Sequence, residues 1–350
     1  MTTRRNASIP ALILPFLVAC AGSSGVRTSP LERSWSEDPG SRLRPPATIV
    51  FEESGERRLI LCVEGGVYAC PESGAGHVES LNAGSRPIAA IAPAGADQGF
   101  LAIEAAMTLD DFDRVVLTDL GSESEVLYEA HGRALGVPVR VGAREAWLAS
   151  TSLSGDERAV LVTADMQGRR AVQLQPADLD AVFHIARNPH TGRTLASGVR
   201  RNGSRVESGL FELRGGNRPR AELIDAQGWA PAWSGCGKYL AIVRGQRSPD
   251  ASSVRYGPLD DCILRVTDES GVDRETTIDG VVLALCFDPN NEDLLFAAVA
   301  SAEEIRDDAL ISIRILRVRV ARDGLRSSSI AGFDLVHPAA AGHEGHLTSN

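Results

Sequence analysis

Between residues 48 and 330 the 350-residue chain returns to one two-part shape. The first part is an apolar run, a turn and a second apolar run. It occurs at 48–51 with 58–61, at 88–91 with 100–103, at 137–141 with 146–149, at 182–186 with 194–197, at 230–233 with 239–243 and at 283–287 with 294–297. The second part is a β run, a polar turn that usually holds Gly, and a closing strand. It follows at 114–121 leading to 126–128, at 159–165 to 171–174, at 209–213 to 221–224, at 262–268 to 275–278 and at 313–318 to 328–330, with a weaker version around 66–69. Each unit therefore holds two hairpins, or four strands. The runs are rich in Val, Ile and Leu, and Gly, Asp, Asn and Ser fill the gaps, which are strand and turn signals. No segment carries a long amphipathic helical pattern, so the domain is expected to be all-β.

Four strands per unit and six units is the arithmetic of a six-bladed β-propeller of four-stranded blades. A lone blade leaves both faces of its sheet apolar, and packing blades around an axis buries them against one another. The unit starts, near 48, 88, 137, 182, 230 and 283, are regular enough to separate a propeller from a sandwich. A ring must also close. The expectation is that either 331–337 or part of 35–47 adds an outer strand to a blade built from the opposite end of the chain.

One turn is distinctive in its letters: Pro231-Ala232-Trp233-Ser234-Gly235-Cys236-Gly237-Lys238-Tyr239-Leu240-Ala241. It resembles the repeat of TolB-type propellers, in which an aromatic-Ser-Pro-Asp-Gly-Lys turn precedes an apolar strand. Phe287-Asp288-Pro289 with Leu294-Leu295-Phe296 resembles a degraded copy. The resemblance implies structural roles only: Trp233 and Leu240 packing between blades, Gly237 allowing the tight turn, Ser234 bonding nearby backbone. Gly235 and Cys236 stand where the family has Pro-Asp, which puts the side-chain bond of that Asp in question. TolB itself carries an α/β domain ahead of its propeller, for which the segment before residue 48 is too short.

The N-terminus has a cationic head (Arg4, Arg5), an apolar stretch from Ile9 to Val18 and then Leu17-Val18-Ala19-Cys20. That tetrad resembles the lipobox of bacterial lipoproteins, in which the Cys thiol takes a diacylglyceryl group. Pro10 and Pro15 interrupt the apolar run, which is too short to cross a bilayer of about 30 Å, so residues 1–19 are expected to be a signal peptide that is removed. Residues 20–47, rich in Ser, Pro, Gly and Arg, are expected to be a flexible tether, 48–337 the propeller, and 338–350 a disordered tail. By the same resemblance Cys20 carries acyl chains such as palmitate, and Ala21, rather than Asp, after it favours an outer membrane facing the periplasm. An ordinary secretory signal cut near Ala21 is the alternative.

Five cysteines follow Cys20, and outside the cytoplasm they could pair. Cys62 and Cys70 flank an apparent hairpin with a Gly65-Gly66 turn, which makes them a candidate disulfide; two small buried hydrophobes is the alternative. The sequence does not choose among Cys236, Cys262 and Cys286. A formal charge of −10 without a clustered cationic run argues against a nucleic-acid partner. Lys238 is the only lysine against many arginines, which reads as codon usage.

The remaining chemical candidates have bland readings. His184 and His190 lack obvious companion ligands for a metal; His337, His343, Glu344 and His346 sit in a terminal tail; Asp110, Asp111 and Asp113 lack calcium-loop spacing; Glu303, Glu304, Asp307 and Asp308 form an acidic loop in the last unit. No Gly-x-Ser-x-Gly elbow is present, and at 5% aromatic residues a stacking platform or quinone pocket has little to be built from. No catalytic residue, metal or cofactor is assigned. The expected function is a membrane-anchored envelope protein whose propeller binds a protein partner or acts as a scaffold. The alternative is an enzyme or small-ligand propeller whose acids or histidines meet on the central axis.

Overall fold

The computed structural model describes residues 47–336 except for 53–56, 64, 74–77, 82–85, 96–98, 107–110, 121–123, 142–144, 154–156, 166, 168–169, 203–204, 216–219, 246–261 and 302–309. Cys20, the expected signal peptide, nearly all of the expected tether, Asp110, the acidic run at 303–308 and the histidines at 337, 343 and 346 lie outside the described residues.

The described chain is all strand, in six sheets that follow chain order. Blade 1 is β1 (Ala47–Phe51), β2 (Arg58–Val63), β3 (Gly66–Pro71) and β4 (Glu79–Leu81). Blade 2 is β5 (Ile88–Gly95), β6 (Gly99–Glu104), β7 (Asp113–Thr118) and β8 (Ser124–Ala130). Blade 3 is β9 (Arg133–Leu135), β10 (Val139–Arg140), β11 (Glu145–Ser152), β12 (Val160–Asp165) and β13 (Arg170–Pro176). Blade 4 is β14 (Ala181–Arg187), β15 (Thr194–Asn202), β16 (Arg205–Arg214) and β17 (Arg220–Asp225). Blade 5 is β18 (Gly228–Trp233), β19 (Tyr239–Arg244), β20 (Cys262–Asp268) and β21 (Asp273–Ile278). Blade 6 is β22 (Val281–Phe287), β23 (Leu294–Ala300), β24 (Leu310–Ala321) and β25 (Gly324–Val336). Each is an antiparallel meander running outward from the axis, so the expected six-bladed propeller is what forms. In blade 3 the innermost position is split: β9 and β10 both pair with β11, and Gly136-Val137-Pro138 separates them. Proline has no N–H to give to the ladder, which accounts for the break.

The core is assembled between blades, as apolar sheet faces require. Ile60, Cys62 and Val67 of blade 1 pack with Ile91, Ala102 and Val116 of blade 2. Leu101 and Val115 of blade 2 meet Leu148 and Val162 of blade 3. Leu161 of blade 3 meets Ile185 and Phe211 of blade 4. Leu195 and Leu210 of blade 4 meet Leu240 and Ile242 of blade 5. Val243, Leu264 and Val266 of blade 5 meet Leu295, Ala297 and Val318 of blade 6.

Of the two segments expected to close the ring, 35–46 lie outside the described residues and 331–336 do not join the opposite end of the chain. Residues 331–336 are the second half of β25 and pair with β24 in their own blade, Ala331 opposite Ile315 and Phe333 opposite Ile313. Blade 1 has four strands of its own. Among the described residues the seam is closed by side chains: Ile49, Phe51, Leu59 and Leu61 of blade 1 pack on Leu283, Phe296, Ala298 and Ile315 of blade 6, with the Phe51 and Phe296 rings edge to face at 5.1 Å. An ion pair adds to it: Arg57 of blade 1 reaches Asp288 of blade 6 at 2.5 Å and Glu72 at 3.0 Å.

Candidate functional site: the axial channel and its rim

Inner strands run outward along the axis to one face, where the first turn of each blade and the turn before its outermost strand lie together. The axial cavity reaches this turn face. It has a volume of about 590 Å³ and takes lining residues from the innermost strand of every blade, among them Ile49, Ile91, Val139, Ile185, Ala232 and Leu285. Pro189, Ser234, Gly235 and Pro289 form its rim. The walls are largely apolar. Among the described lining residues the only charged side chains are Arg140 and Arg187, and no carboxylate is present.

The wall is tied together by hydrogen bonds that cross between blades. The Ile91 N–H donates to Thr48 Oγ1 at 3.1 Å, joining blades 1 and 2. Behind the channel Trp229 is almost fully buried, with its indole 5.0 Å from the Phe183 ring and edge-on to His184 at 5.4 Å. Arg187 lies over the Trp147 ring at 4.2 Å, a cation–π contact from blade 4 to blade 3.

Two titratable groups line the channel besides the arginines, and burial holds both neutral. His184 Nδ1 is 2.8 Å from Ser197 Oγ, its Nε2 has no partner among the described residues, and desolvation pushes its pKa down to about 3. Burial, with Asp288 nearby, pushes the Cys286 thiol up to about 12. A neutral imidazole and a neutral thiol with no carboxylate beside them make a recognition wall rather than an acid–base pair. His190 sits away from His184, on the exposed turn after β14.

The rim is built from one kind of turn in three versions. At the end of each inner strand of blades 4, 5 and 6 a buried polar side chain caps the turn. Asn188 Oδ1 accepts the N–H groups of His190 and Thr191, both at 2.9 Å, and its amide donates to the Gly237 carbonyl at 2.9 Å. Ser234 Oγ accepts the Tyr239 N–H at 3.0 Å. Asp288 Oδ1 accepts the Asn290 N–H at 2.8 Å and the Arg57 guanidinium. Each turn is thereby bonded to itself, and two of the three also to the next blade.

Within the blade 5 turn, Trp233 stands opposite Leu240 in the β18–β19 ladder and packs with Leu195, Leu210 and Ile242 across the blade 4–5 interface. Gly237 has φ +70°, and a Cβ there would lie 2.6 Å from Asn188 Oδ1. Cys236 stands where the family has Asp, and its sulfur accepts the Lys238 N–H at 3.4 Å, a weaker acceptor at the same place.

Elsewhere the structure separates residues that the sequence put together. Cys62 stands opposite Val67 in the β2–β3 ladder and Cys70 opposite Leu59. Three ladder steps, an odd number, put the two on opposite sheet faces, roughly 10 Å apart along the strand and beyond disulfide reach. Cys62 packs toward blade 2 and donates to the Ile88 carbonyl at 2.7 Å, while Cys70 packs toward blade 6. All five described cysteines are thiols, Cys62 with its pKa pushed by burial up to about 12. Asp111 pairs with Arg86 at 2.9 Å, and Asp113 is buried, accepting the N–H groups of Leu135 and Ala106. These two acids serve separate structural bonds. The Asn188 turn escaped the sequence reading, although Asn188-Pro189 after an apolar run repeats Asp288-Pro289 in the same position.

No protein-family model matches this chain, and no curated protein matches it. Among solved structures it is similar to TolB from Acinetobacter baumannii, at 14% identity and a TM-score of 0.51, over 82% of this chain and 62% of that one. The chain thus spans about three fifths of that protein's length. Hydrazine synthase from Kuenenia stuttgartiensis aligns at 11% identity and a TM-score of 0.48, over 79% of this chain and 77% of that one. An apocarotenoid oxygenase mutant from Synechocystis aligns at 13% and 0.46, over 83% and 71%. At such identities the likeness to TolB concerns the fold, a TolB-like six-bladed propeller.

Proposed function

We propose that this chain is a lipid-anchored protein of the bacterial cell envelope whose propeller binds a protein partner at the mouth of its axial channel, without chemistry of its own. The observation that carries the reading is the channel wall: an apolar surface drawn from all six blades, two arginines, and neutral His184 and Cys286 in place of a converging acid–base set. Apolar walls with a few placed polar groups are how pockets recognise a partner group. The fold by itself decides nothing about function.

The anchor rests on Leu17-Val18-Ala19-Cys20 and on the residues flanking it. Multiple acyl chains, each contributing roughly 0.8 kcal/mol per buried CH₂, would hold the ring at a membrane surface. The proposed location is the outer membrane of a diderm cell, facing the periplasm.

Two measurements test this. Labelling cells with an alkyne fatty acid should tag the wild-type chain and leave Cys20→Ala untagged; label in both would remove the anchor. Capture from crosslinked cells should recover one reproducible protein that is lost with Arg140→Glu/Arg187→Glu at the channel and retained with Glu222→Arg on the outer strand of blade 4. Equal recovery from both variants would refute the channel mouth as the site.

A further inference from the structure

On the same turn face, outside the channel, a second cavity of about 460 Å³ lies between blades 5 and 6. Its lining holds five cations and one acid: Lys238, Arg274, Arg319, Arg322 and Arg326 against Asp293. That balance is opposite to the chain's, whose formal charge is −10.

Lys238 comes from the turn before β19, Arg274 from β21, and Arg319, Arg322 and Arg326 from the tip of the β24–β25 hairpin. Alternation along β24 is unbroken, with Ile313 and Ile315 packing toward blade 1 and Leu316, Val318 and Val320 toward blade 5; the extra residue of the β24–β25 bulge is Ile330 on β25. Arg319 shares the blade 1 side with Leu294, lies at the exposed tip of the sheet and stands directly opposite Arg326 on β25. Like charges facing each other across a ladder are destabilising unless something neutralises them. Arg326 has a partner in Asp323 at 2.8 Å, but among the described residues no hydrogen bond or ion pair takes up Arg319 or Arg322. From blade 5, Arg274 donates one nitrogen to Asp268 at 2.9 Å while its Nε is buried without a partner among the described residues. Lys238 Nζ lies 4.7 Å above the Tyr239 ring. The one acid of the lining is engaged, since the Tyr239 hydroxyl donates to Asp293 at 3.1 Å. Glu292 is the remaining acid near Lys238.

We infer that this cavity is an anion site that takes a phosphate group, with Arg322, Lys238 and the Arg274 Nε as its donors and Arg319 at its edge. Guanidinium forks match the tetrahedral oxygens of phosphate, and Lys adds a point charge. The cavity is several times larger than a bare phosphate, which leaves room for an organic group attached to it. The phosphate could be carried by a soluble ester or by a lipid headgroup, and the arms of the test separate the two.

The single lysine provides the readout. The full chain is treated with a limiting amine-acylating reagent, and modification of Lys238 is followed by peptide mass spectrometry with inorganic phosphate, with glycerol 3-phosphate, with phosphatidic acid vesicles and with phosphatidylcholine vesicles. Protection by the soluble phosphates points to a soluble source, and protection by phosphatidic acid vesicles alone points to a headgroup. In either case phosphatidylcholine should not protect. Binding by calorimetry or vesicle flotation should weaken roughly tenfold for Arg322→Gln and by less for Arg319→Gln at the cavity edge. Arg193→Gln, on the exposed turn of blade 4, should bind as wild type, and unchanged thermal melting of all three variants shows that the ring is intact. No protection by any phosphate probe, or equal binding by all three variants, would overturn the assignment. This inference does not depend on a protein partner at the channel: equal capture from the Arg140→Glu/Arg187→Glu and Glu222→Arg variants would leave it standing.

Discussion

The axial channel and the blade 5–6 cavity open on one face and are built on opposite principles. The channel takes a few residues from each inner strand, is walled by apolar side chains, and holds its titratable groups neutral. The side cavity takes residues from only two blades and gathers cations that lack full counter-charges. The difference lies in position. An inner strand is flanked by other inner strands and must satisfy the packing of the whole ring, whereas outer strands β21 and β25 meet solvent on one side and tolerate unpaired charge. A rigid axis for shape and a peripheral pocket for charge are two ways for one ring to present a binding face.

The contrast predicts unequal responses to mutation. The largest effect belongs to the channel wall: Trp229→Ala, which removes an almost fully buried indole packed on Phe183 and His184, should destabilise by about 3–5 kcal/mol in denaturant unfolding. A loss below about 1 kcal/mol would mean that the wall is not held by packing at this seam. At the rim, Asp288→Ala should cost about 2 kcal/mol, since it leaves the Asn290 N–H without its acceptor and Arg57 with Glu72 alone, and Asp288→Asn should recover part of that. Equal costs for the two would show that charge, rather than the turn bond, is what matters there.

Acid sharpens the comparison further. His184 has a folded pKa of about 3, below its unfolded value near 6.5. The unfolded chain therefore binds the proton first, so this contribution to stability is complete above about pH 6.5 and declines as pH falls toward 3. Wild type should lose about 1–2 kcal/mol more than His184→Asn between pH 7 and pH 5. Parallel stability curves for the two would contradict a neutral buried imidazole. The smallest effect, and of opposite sign, belongs to the side cavity: Arg319→Gln removes a charge facing Arg326 and should leave stability unchanged or raise it by a few tenths of a kcal/mol at low salt.

The two regions also differ in how far they are legible in the sequence. The channel follows from the inner-strand repeat, because apolar runs recurring at blade spacing dictate both the ring and an apolar axis. Lys238 was legible as a residue but not as a site, since Arg274, Arg319, Arg322 and Arg326 lie far from it along the chain and meet only through blade packing. Both faces of β24 are packed, Ile313 and Ile315 against blade 1 and Val318 and Val320 against blade 5, so its alternation does not mark which arginines lie at the cavity. The Cys62–Cys70 expectation fails for a related reason. The hairpin is present, yet a disulfide depends on register, and the tight turn at Gly65 sets Cys62 opposite Val67. The closing strand expected at 331–337 fails because β25 continues its own hairpin with β24 through Val336, while Phe51, Leu61, Phe296 and Ile315 pack directly across the seam.

Site-specific photocrosslinking in intact cells tests the channel-mouth reading most directly, with the probe at Pro189 on the rim or at Glu222 on the outer strand of the same blade. The account predicts a discrete adduct from position 189 and none from position 222, with the rim adduct lost in Arg140→Glu/Arg187→Glu. An adduct from position 222 with none from position 189 would place the partner on the blade edge and contradict it.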